Sequence, residues 1–334
     1  MTLNLKNKNN ILITGGAGYI GSHIVEQLVK NRNNNIFVYD NLITGSKNLV
    51  SKKAKFIKGD VSNKKYLINT ILKNNINSVI HLAAFLNISM AETNKKKYFK
   101  NNITGTRNII EAIKNSTVKN IIFSSSCSVY GNIKGPVSEN KKPNPKGYYA
   151  FTKYEGEKII KKFSKKYNYN YSILRYFNVA GASSSKKIGE IETSHGHLIK
   201  NLAIQSLKKK PVVKIFGTNY KTKDGTCIRD YIHVSDLAKI HIKALKIIKN
   251  QNKSFIVNCG IGKGYSVKQI IDFFLKINKN TQVVYLPRRN GDVAQVFSST
   301  KKFKKIFKWK SKFKSIDQIM LSSFNWEKIY NKTK

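Results

Sequence analysis

Three shortages bound this sequence. The first is cysteine: 334 residues contain three, Cys127, Cys227 and Cys259, far apart and odd in number. They form neither a disulfide framework nor a zinc pattern, and they suit a reducing compartment. The second is long apolar runs. None approaches the roughly 18 residues that a membrane helix needs, and the first strand pattern begins close to the first residue. The chain therefore reads as soluble, unprocessed and cytoplasmic, with no membrane partner and no metal. The third is acid: 17 Asp and Glu stand against 62 Lys and Arg, leaving a net charge of +45.

Such a charge raises the question of nucleic acid. Only six of the 62 basic residues are Arg, the type suited to bidentate base and phosphate contacts. The lysines are spread along the chain among Asn and Ile, all with A/T-rich codons, which points to genome composition. The densest cluster, Lys301 to Lys314, interleaves Phe303, Phe307, Trp309 and Phe313 as an RNA-binding patch would. Phe303, Ile306 and Phe307 fall at i, i+3, i+4, however, which predicts an amphipathic helix with its lysines in solvent. No nucleic-acid partner is expected.

What the sequence does contain is organised around Asn10 to His23, NILITGGAGYIGSH. Ile11 to Ile13 suit a strand buried on both faces, and Ser22 to Lys30 read as the first helix. Between them Gly16, Gly18 and Gly21 fit G-x-G-x-x-G, with Gly15 adding a glycine at the start of the turn. Such a loop lets backbone N–H groups and a helix N-terminus close on a pyrophosphate. Asp40 lies 19 residues beyond Gly21, at the end of a second strand, Ile36 to Tyr39. A carboxylate there suits a ribose 2′-hydroxyl and repels a 2′-phosphate, so the cofactor implied is NAD and not NADP.

Short β-rich runs then alternate with helical stretches. Strands are expected at Lys55 to Ile57, Ser78 to Leu82, Asn120 to Phe123 and Tyr171 to Leu174. Helices are expected at Asn102 to Lys114 and Ala150 to Lys166. The alternation predicts an α/β fold with a doubly wound parallel sheet over residues 1–175. After Arg175 the rhythm breaks into a polar loop, Gly181 to Gly196, and shorter elements with one strand candidate, Phe255 to Asn258. Residues 176–334 are expected to form a smaller C-terminal α/β domain, some segments returning to the first.

Chemistry is carried by Tyr149 and Lys153, four apart and on one helix face. A cation beside a phenol favours phenolate, which makes a usable base near neutrality. Ser126 ends a strand upstream and could hydrogen-bond the same reacting hydroxyl. Residues 14–25, 123–131, Tyr149-x-x-x-Lys153, 175–182 and 215–237 together resemble the extended short-chain dehydrogenase/reductases. The last two, with Arg289-Asn290-Gly291-Asp292, look like the UDP-glucose 4-epimerase family, nearly end to end.

The resemblance implies a reaction. Tyr149 would take the proton from the sugar 4-hydroxyl as C4 passes hydride to NAD, and Ser126 would assist. Lys153 would hold the nicotinamide ribose, and the 4-keto sugar would turn over and be reduced on its other face. It also implies binding roles. Gly15, Gly18, Tyr19, Ile20 and Gly21 would meet the pyrophosphate, Asp40 and Asn41 the adenosine ribose, and Asp60 and Val61 the adenine. Leu82, Ala83, Asn101 and Phe177 would line the rest of the cofactor. For the UDP-sugar, Phe177 and Asn178 would hold the sugar-phosphate region, Leu198 and Phe216 the uracil side, Arg229 and Arg289 the diphosphate, and Asp292 a ribose hydroxyl. A homodimer joined through two helices per subunit is the family habit.

The departures are specific. The family often has a lysine where Leu86 stands, and Gly147-Tyr148-Tyr149-Ala150 replaces Asn-Pro-Tyr-Gly. Val296 is small where the family varies up to tyrosine, which suggests a sugar pocket tolerant of a 2-N-acetyl group. UDP-N-acetylhexosamines, UDP-pentoses and UDP-glucuronate are the alternative substrates. A non-catalytic NAD- or RNA-binding protein is the alternative from another class. Cys127, next to Ser126, reads as an inert thiol before an oxidation-sensitive one.

Overall fold

The computed structural model describes residues 8–133, 135–191, 196–289 and 292–332. Fourteen strands are found among them: β1 Asn9–Thr14, β2 Asn34–Asp40, β3 Lys55–Lys58, β4 Ser78–His81, β5 Asn120–Ser126, β6 Pro136–Val137, β7 Asn170–Tyr176, β8 Asn178–Ala180, β9 Val212–Phe216, β10 Ile228–His233, β11 Phe255–Cys259, β12 Gly264–Ser266, β13 Gln282–Leu286 and β14 Gln295–Ser298. The helices are α1 Tyr19–Leu28, α2 Lys64–Lys73, α3 Ile88–Thr93, α4 Lys95–Tyr98, α5 Gly105–Ile113, α6 Tyr148–Ser164, α7 Leu198–Gln205, α8 Val234–Gln251, α9 Val267–Ile277, α10 Lys301–Phe307 and α11 Ile316–Lys332. No helix among the described residues is long and apolar enough to cross a membrane.

The large sheet has seven strands in the order β11-β7-β5-β4-β1-β2-β3. The pairs from β5 to β3 are parallel, with Ile11 opposite Ile36 and Ser78, and Ile80 opposite Ile122. β4 is buried throughout and β5 along all but its last residue, as strands covered on both faces must be. Leu12, Val79, Ile121, Ile109, Ile160 and Ile173 lie in one apolar cluster with the helices.

The chain packs as two units. Unit 1 holds residues 1–125, 151–174 and 238–256; unit 2 holds 126–150, 175–237 and 257–334. Thus residues 126–150 group with the later chain and 238–256 with the earlier. Unit 2 contains a mixed sheet in the order β12-β10-β14-β6, with β8 beside β10, and a β13-β9 pair. Its own core includes Ile199, Ile215, Tyr231, Ile271, Phe274 and Met320.

Three sequence expectations are corrected. α1 begins at Tyr19, not Ser22, because Gly18 already serves as its N-cap. The helix expected from Asn102 is π-helical over Phe99–Thr104 and becomes α-helical at Gly105. Phe255 to Asn258, expected in the smaller domain, is the edge of the seven-stranded sheet. The lysine-rich run forms the expected amphipathic helix over Lys301–Phe307, which ends where Lys308 takes φ +44°. Phe303 and Phe307 are buried and Phe313 stacks on His233, so these three rings pack inward instead of forming stacking platforms. Part of the 181–196 loop and the residues Asn290 and Gly291 lie outside the described residues.

Candidate active site

In unit 1 the candidate cofactor residues share one rim, at the carboxyl ends of β1 to β5. Gly15 has φ +72°, and a Cβ on it would lie 2.6 Å from the Ala83 nitrogen. A Cβ on Gly21 would lie 2.2 Å from the Gly15 carbonyl oxygen. Only glycine permits this turn, and α1 starts from it with no side chain capping its first amides. A helix terminus of that kind offers N–H groups and a positive dipole end to an anion.

Asp40 ties the second strand to that turn. Its Oδ2 accepts Ala17 N–H at 3.0 Å and its Oδ1 accepts Leu42 N–H at 2.8 Å. Burial raises its carboxyl above the ordinary value, opposed by those two amides. Asn41 donates to Asp60 Oδ2 at 2.9 Å, and Ser62 N–H reaches Asp60 Oδ1 at 2.7 Å. Burial pushes Asp60 up, but these hydrogen bonds and Lys100 outweigh it and hold the carboxyl low. Val61 is buried and packs where Gly105 has no side chain. Leu82 N–H pairs with Thr14 O at 3.0 Å, which brings Leu82 and Ala83 beside Gly15. Asn101 is buried in the π-helical turn and donates to Asn102 at 2.9 Å. Leu86, standing where a lysine is frequent, is 36% exposed.

Lys153 completes this unit's set. Its Nζ donates to Ser124 O at 2.9 Å and lies 3.3 Å from Ser124 Oγ. Burial lowers its pKa to about 7. Beneath it His81 sits between Thr14 Oγ1, at 2.7 Å, and Thr106 Oγ1, at 3.0 Å. Burial, then the Lys153 charge, lowers its pKa to about 3, so the imidazole is neutral. The glycine turn, the uncapped helix start and the carboxylates at the ends of successive strands fit a dinucleotide.

Unit 2 carries the other candidates. Ser126 ends β5, and its Oγ accepts Ser128 N–H at 3.2 Å and Ser128 Oγ–H at 2.9 Å. Tyr149 is half-buried in the first turn of α6. Burial pushes the Cys127 thiol up to about 12, so it stays protonated and unreactive. Strand β10 collects the rest. Arg229 is opposite Val296, and Tyr231 is opposite Asn178. Arg229 Nη1 donates to Ile228 O and Val293 O at 2.9 and 2.8 Å, and Nη2 lies 3.6 Å from Asp292. Arg289 Nε is 3.1 Å from the same carboxylate, and its guanidinium lies 4.8 Å from the Phe216 ring centre. So Phe216, Arg229, Arg289, Asp292 and Val296 meet in one place. Phe177 is buried, with its N–H on Cys259 O. Leu198 packs on the second core.

Several contributors escape sequence reasoning. Asn102 spans Phe85 and Thr152, donating to Phe85 O at 3.1 Å and to Thr152 Oγ1 at 3.1 Å. Asp230, next to Arg229, accepts the N–H groups of Ile261, Gly262 and Ser298 and the Ser298 hydroxyl. That web anchors the strand bearing Arg229. Ser124 carries Lys153. The Ser124-Ser125-Ser126 run was the available signal for it.

The geometry defines a class: a doubly wound α/β nucleotide-binding enzyme with a glycine turn after its first strand and a Tyr-x-x-x-Lys helix. The chain belongs to the NAD dependent epimerase/dehydratase family, whose model matches residues 11–260. It is 38% identical over 326 residues to the UDP-glucose 4-epimerase of Lactobacillus helveticus, a match covering 96% of this chain and 98% of the relative. A crystal structure of a UDP-glucose 4-epimerase superposes with a TM-score of 0.91 at 37% identity, covering 97% of this chain and 98% of that one. The UDP-glucose 4-epimerase of Bifidobacterium longum, solved with NAD+ and UDP, gives 0.87 at 31% identity over 97% and 99% of the two chains.

Proposed function

We propose that this chain is a UDP-glucose 4-epimerase that interconverts UDP-galactose and UDP-glucose with retained NAD. The observation that carries the reading is Lys153, buried against Ser124 one helical turn after Tyr149. Its ammonium favours the phenolate of Tyr149, which takes the proton of the sugar 4-hydroxyl and later returns it. Ser126 Oγ accepts two donors from Ser128, which leaves its own proton for the sugar oxygen. NAD bound at this rim would supply the hydride acceptor and donor for C4 of the sugar. The glycine turn receives the pyrophosphate and Asp40 a ribose hydroxyl. Arg229 and Arg289 take the diphosphate of the sugar nucleotide, where guanidinium forks suit paired oxygens. Asp292 holds both arginines and accepts a ribose hydroxyl.

The test is conversion of UDP-galactose by purified protein with no NAD added, beside a Tyr149→Phe control. Turnover lost in the control supports the reading. Turnover appearing only on adding NAD would mean a loosely held cofactor and point to Leu86. No turnover under either condition would defeat the reading.

Val296 favours a second substrate. Its side chain, opposite Arg229, is smaller than the tyrosine that the family can carry there, which supports a sugar subsite tolerant of a 2-N-acetyl group. UDP-N-acetylglucosamine that binds as tightly as UDP-galactose yet does not turn over would remove this reading. We also propose a homodimer: Ile88, Phe99 and Phe151, on and beside the short helices and α6, are 60%, 44% and 38% exposed. Light scattering measures that directly. The three free cysteines support a reducing, cytoplasmic setting.

A further inference from the structure

Glu157 is completely buried in α6 and takes no part in the chemistry above. Its Oε1 accepts the Ser125 hydroxyl at 2.5 Å. Four residues earlier, Lys153 grips Ser124. Two successive turns of α6 thus hold two successive residues of β5. Between them Gly156 allows close approach, since a Cβ there would lie 2.5 Å from the Phe123 ring. The residue after Ser125 is Ser126, and the residue one turn before Lys153 is Tyr149.

A lysine is a point charge on a flexible stem, so its contact alone fixes a strand end loosely. A second contact, made by the short Ser125 side chain to a buried carboxylate, removes the freedom to slide along the helix. We propose that the Ser125–Glu157 hydrogen bond is a positioning device. It sets how far the end of β5 lies along α6, and so holds Ser126 and the Lys153 ammonium at the heights that proton transfer requires. Glu157 acts through Ser125 and touches no reacting atom. A displacement of about 1 Å at such a site is enough to cost about 10²-fold in rate.

The proposal rests on the epimerase reading, so the full-length holoprotein is assayed with UDP-galactose and, separately, by amide hydrogen exchange at residues 123–128. Ser125→Ala, a small change that keeps the fold, is the main variant; Glu157→Ala and Glu157→Gln accompany it. We expect Ser125→Ala to lower kcat by about tenfold or more, with KM, bound NAD and Tm close to the parent's and faster exchange at Ser126. Glu157→Gln, which still accepts the hydroxyl, keeps more of kcat than Glu157→Ala, and the Ser125→Ala/Glu157→Ala double variant is no slower than its slower single. A Ser125→Ala kcat within twofold of the parent would overturn the proposal. So would a Tm that falls in step with kcat, or losses that multiply in the double variant. If the parent itself turns over no UDP-galactose, the epimerase reading fails, and exchange alone judges the clamp: unchanged protection in Ser125→Ala overturns it.

Discussion

The nucleotide rim of unit 1 and the arginine cluster of unit 2 are built on opposite plans. The rim works by absence and by backbone: glycines at 15 and 21 that no other residue can replace, amides left uncapped at the start of α1, and carboxylates held by main-chain N–H groups. The cluster works by side chains. Arg229 and Arg289 converge on Asp292, with Phe216 under one guanidinium. The first plan suits a cofactor that stays, because backbone geometry is preorganised and loses little entropy on binding. The second suits a ligand that comes and goes, because ion pairs can open to receive another anion. Rim lesions should therefore remove the cofactor, and cluster lesions should weaken the substrate.

The sharpest division of the two comes from Tyr149→Phe, which belongs to neither plan. Turnover should fall by about 10²–10⁴-fold, the range of a lost general base, while bound NAD and UDP-galactose affinity remain. Gly21→Ala comes next, and its Cβ would meet the Gly15 carbonyl at 2.2 Å. Bound NAD, read from absorbance and release on denaturation, should be largely lost. UDP binding retained in that variant would keep the comparison; loss of both together would break it. Arg229→Ala should raise KM for UDP-galactose by about 10- to 100-fold, the 1.5–3 kcal/mol typical of a hydrogen bond to a charged group, with NAD content unchanged. Arg289, with its side chain 56% exposed, should matter less, about fivefold or below.

The smallest effect is a difference in pH response. In unit 1 burial lowers His23 to about 4 and His81 to about 3. The unfolded chain binds more protons than the folded one below pH 6.5, so stability should fall as pH drops from 6.5 towards 4. In unit 2 burial lowers His197, but the Glu190 hydrogen bond and charge outweigh it and raise its pKa. That contribution is present below pH 6.5 and is lost as pH rises through the raised value. It is small, because the His197 side chain is 44% exposed. Amide exchange mapped between pH 7 and 4 should show unit 1 losing protection first. Equal loss in both units would remove the contrast.

The two plans were unequally legible. Gly15 to Gly21, Asp40, and the one-turn spacing of Tyr149 and Lys153 stand out in the residues themselves, since each expresses geometry within a few bonds or one helical turn. The arginine cluster does not. Arg229 and Asp292 are drawn together by the β10–β14 pairing, Phe216 reaches Arg289 through the β9–β13 pairing, and only family resemblance singled them out. β11 joined the large sheet from residue 255 onward because strand pairing needs no nearness in sequence. Asn102, Asp230 and Glu157 were unreadable because a polar residue in a pattern does not reveal whether it is buried or what partner it finds.

By itself, then, the sequence determined the strand-turn-helix and the Tyr149/Lys153 face, both consequences of local covalent geometry. The tertiary structure decided what those groups become. Packing α6 onto β5 removes water from Lys153 and lowers its pKa to about 7, keeps His81 neutral beneath it, and brings Glu157 to Ser125. Desolvation and long-range partners depend on everything that packs around a residue, and no spacing along the chain encodes them alone.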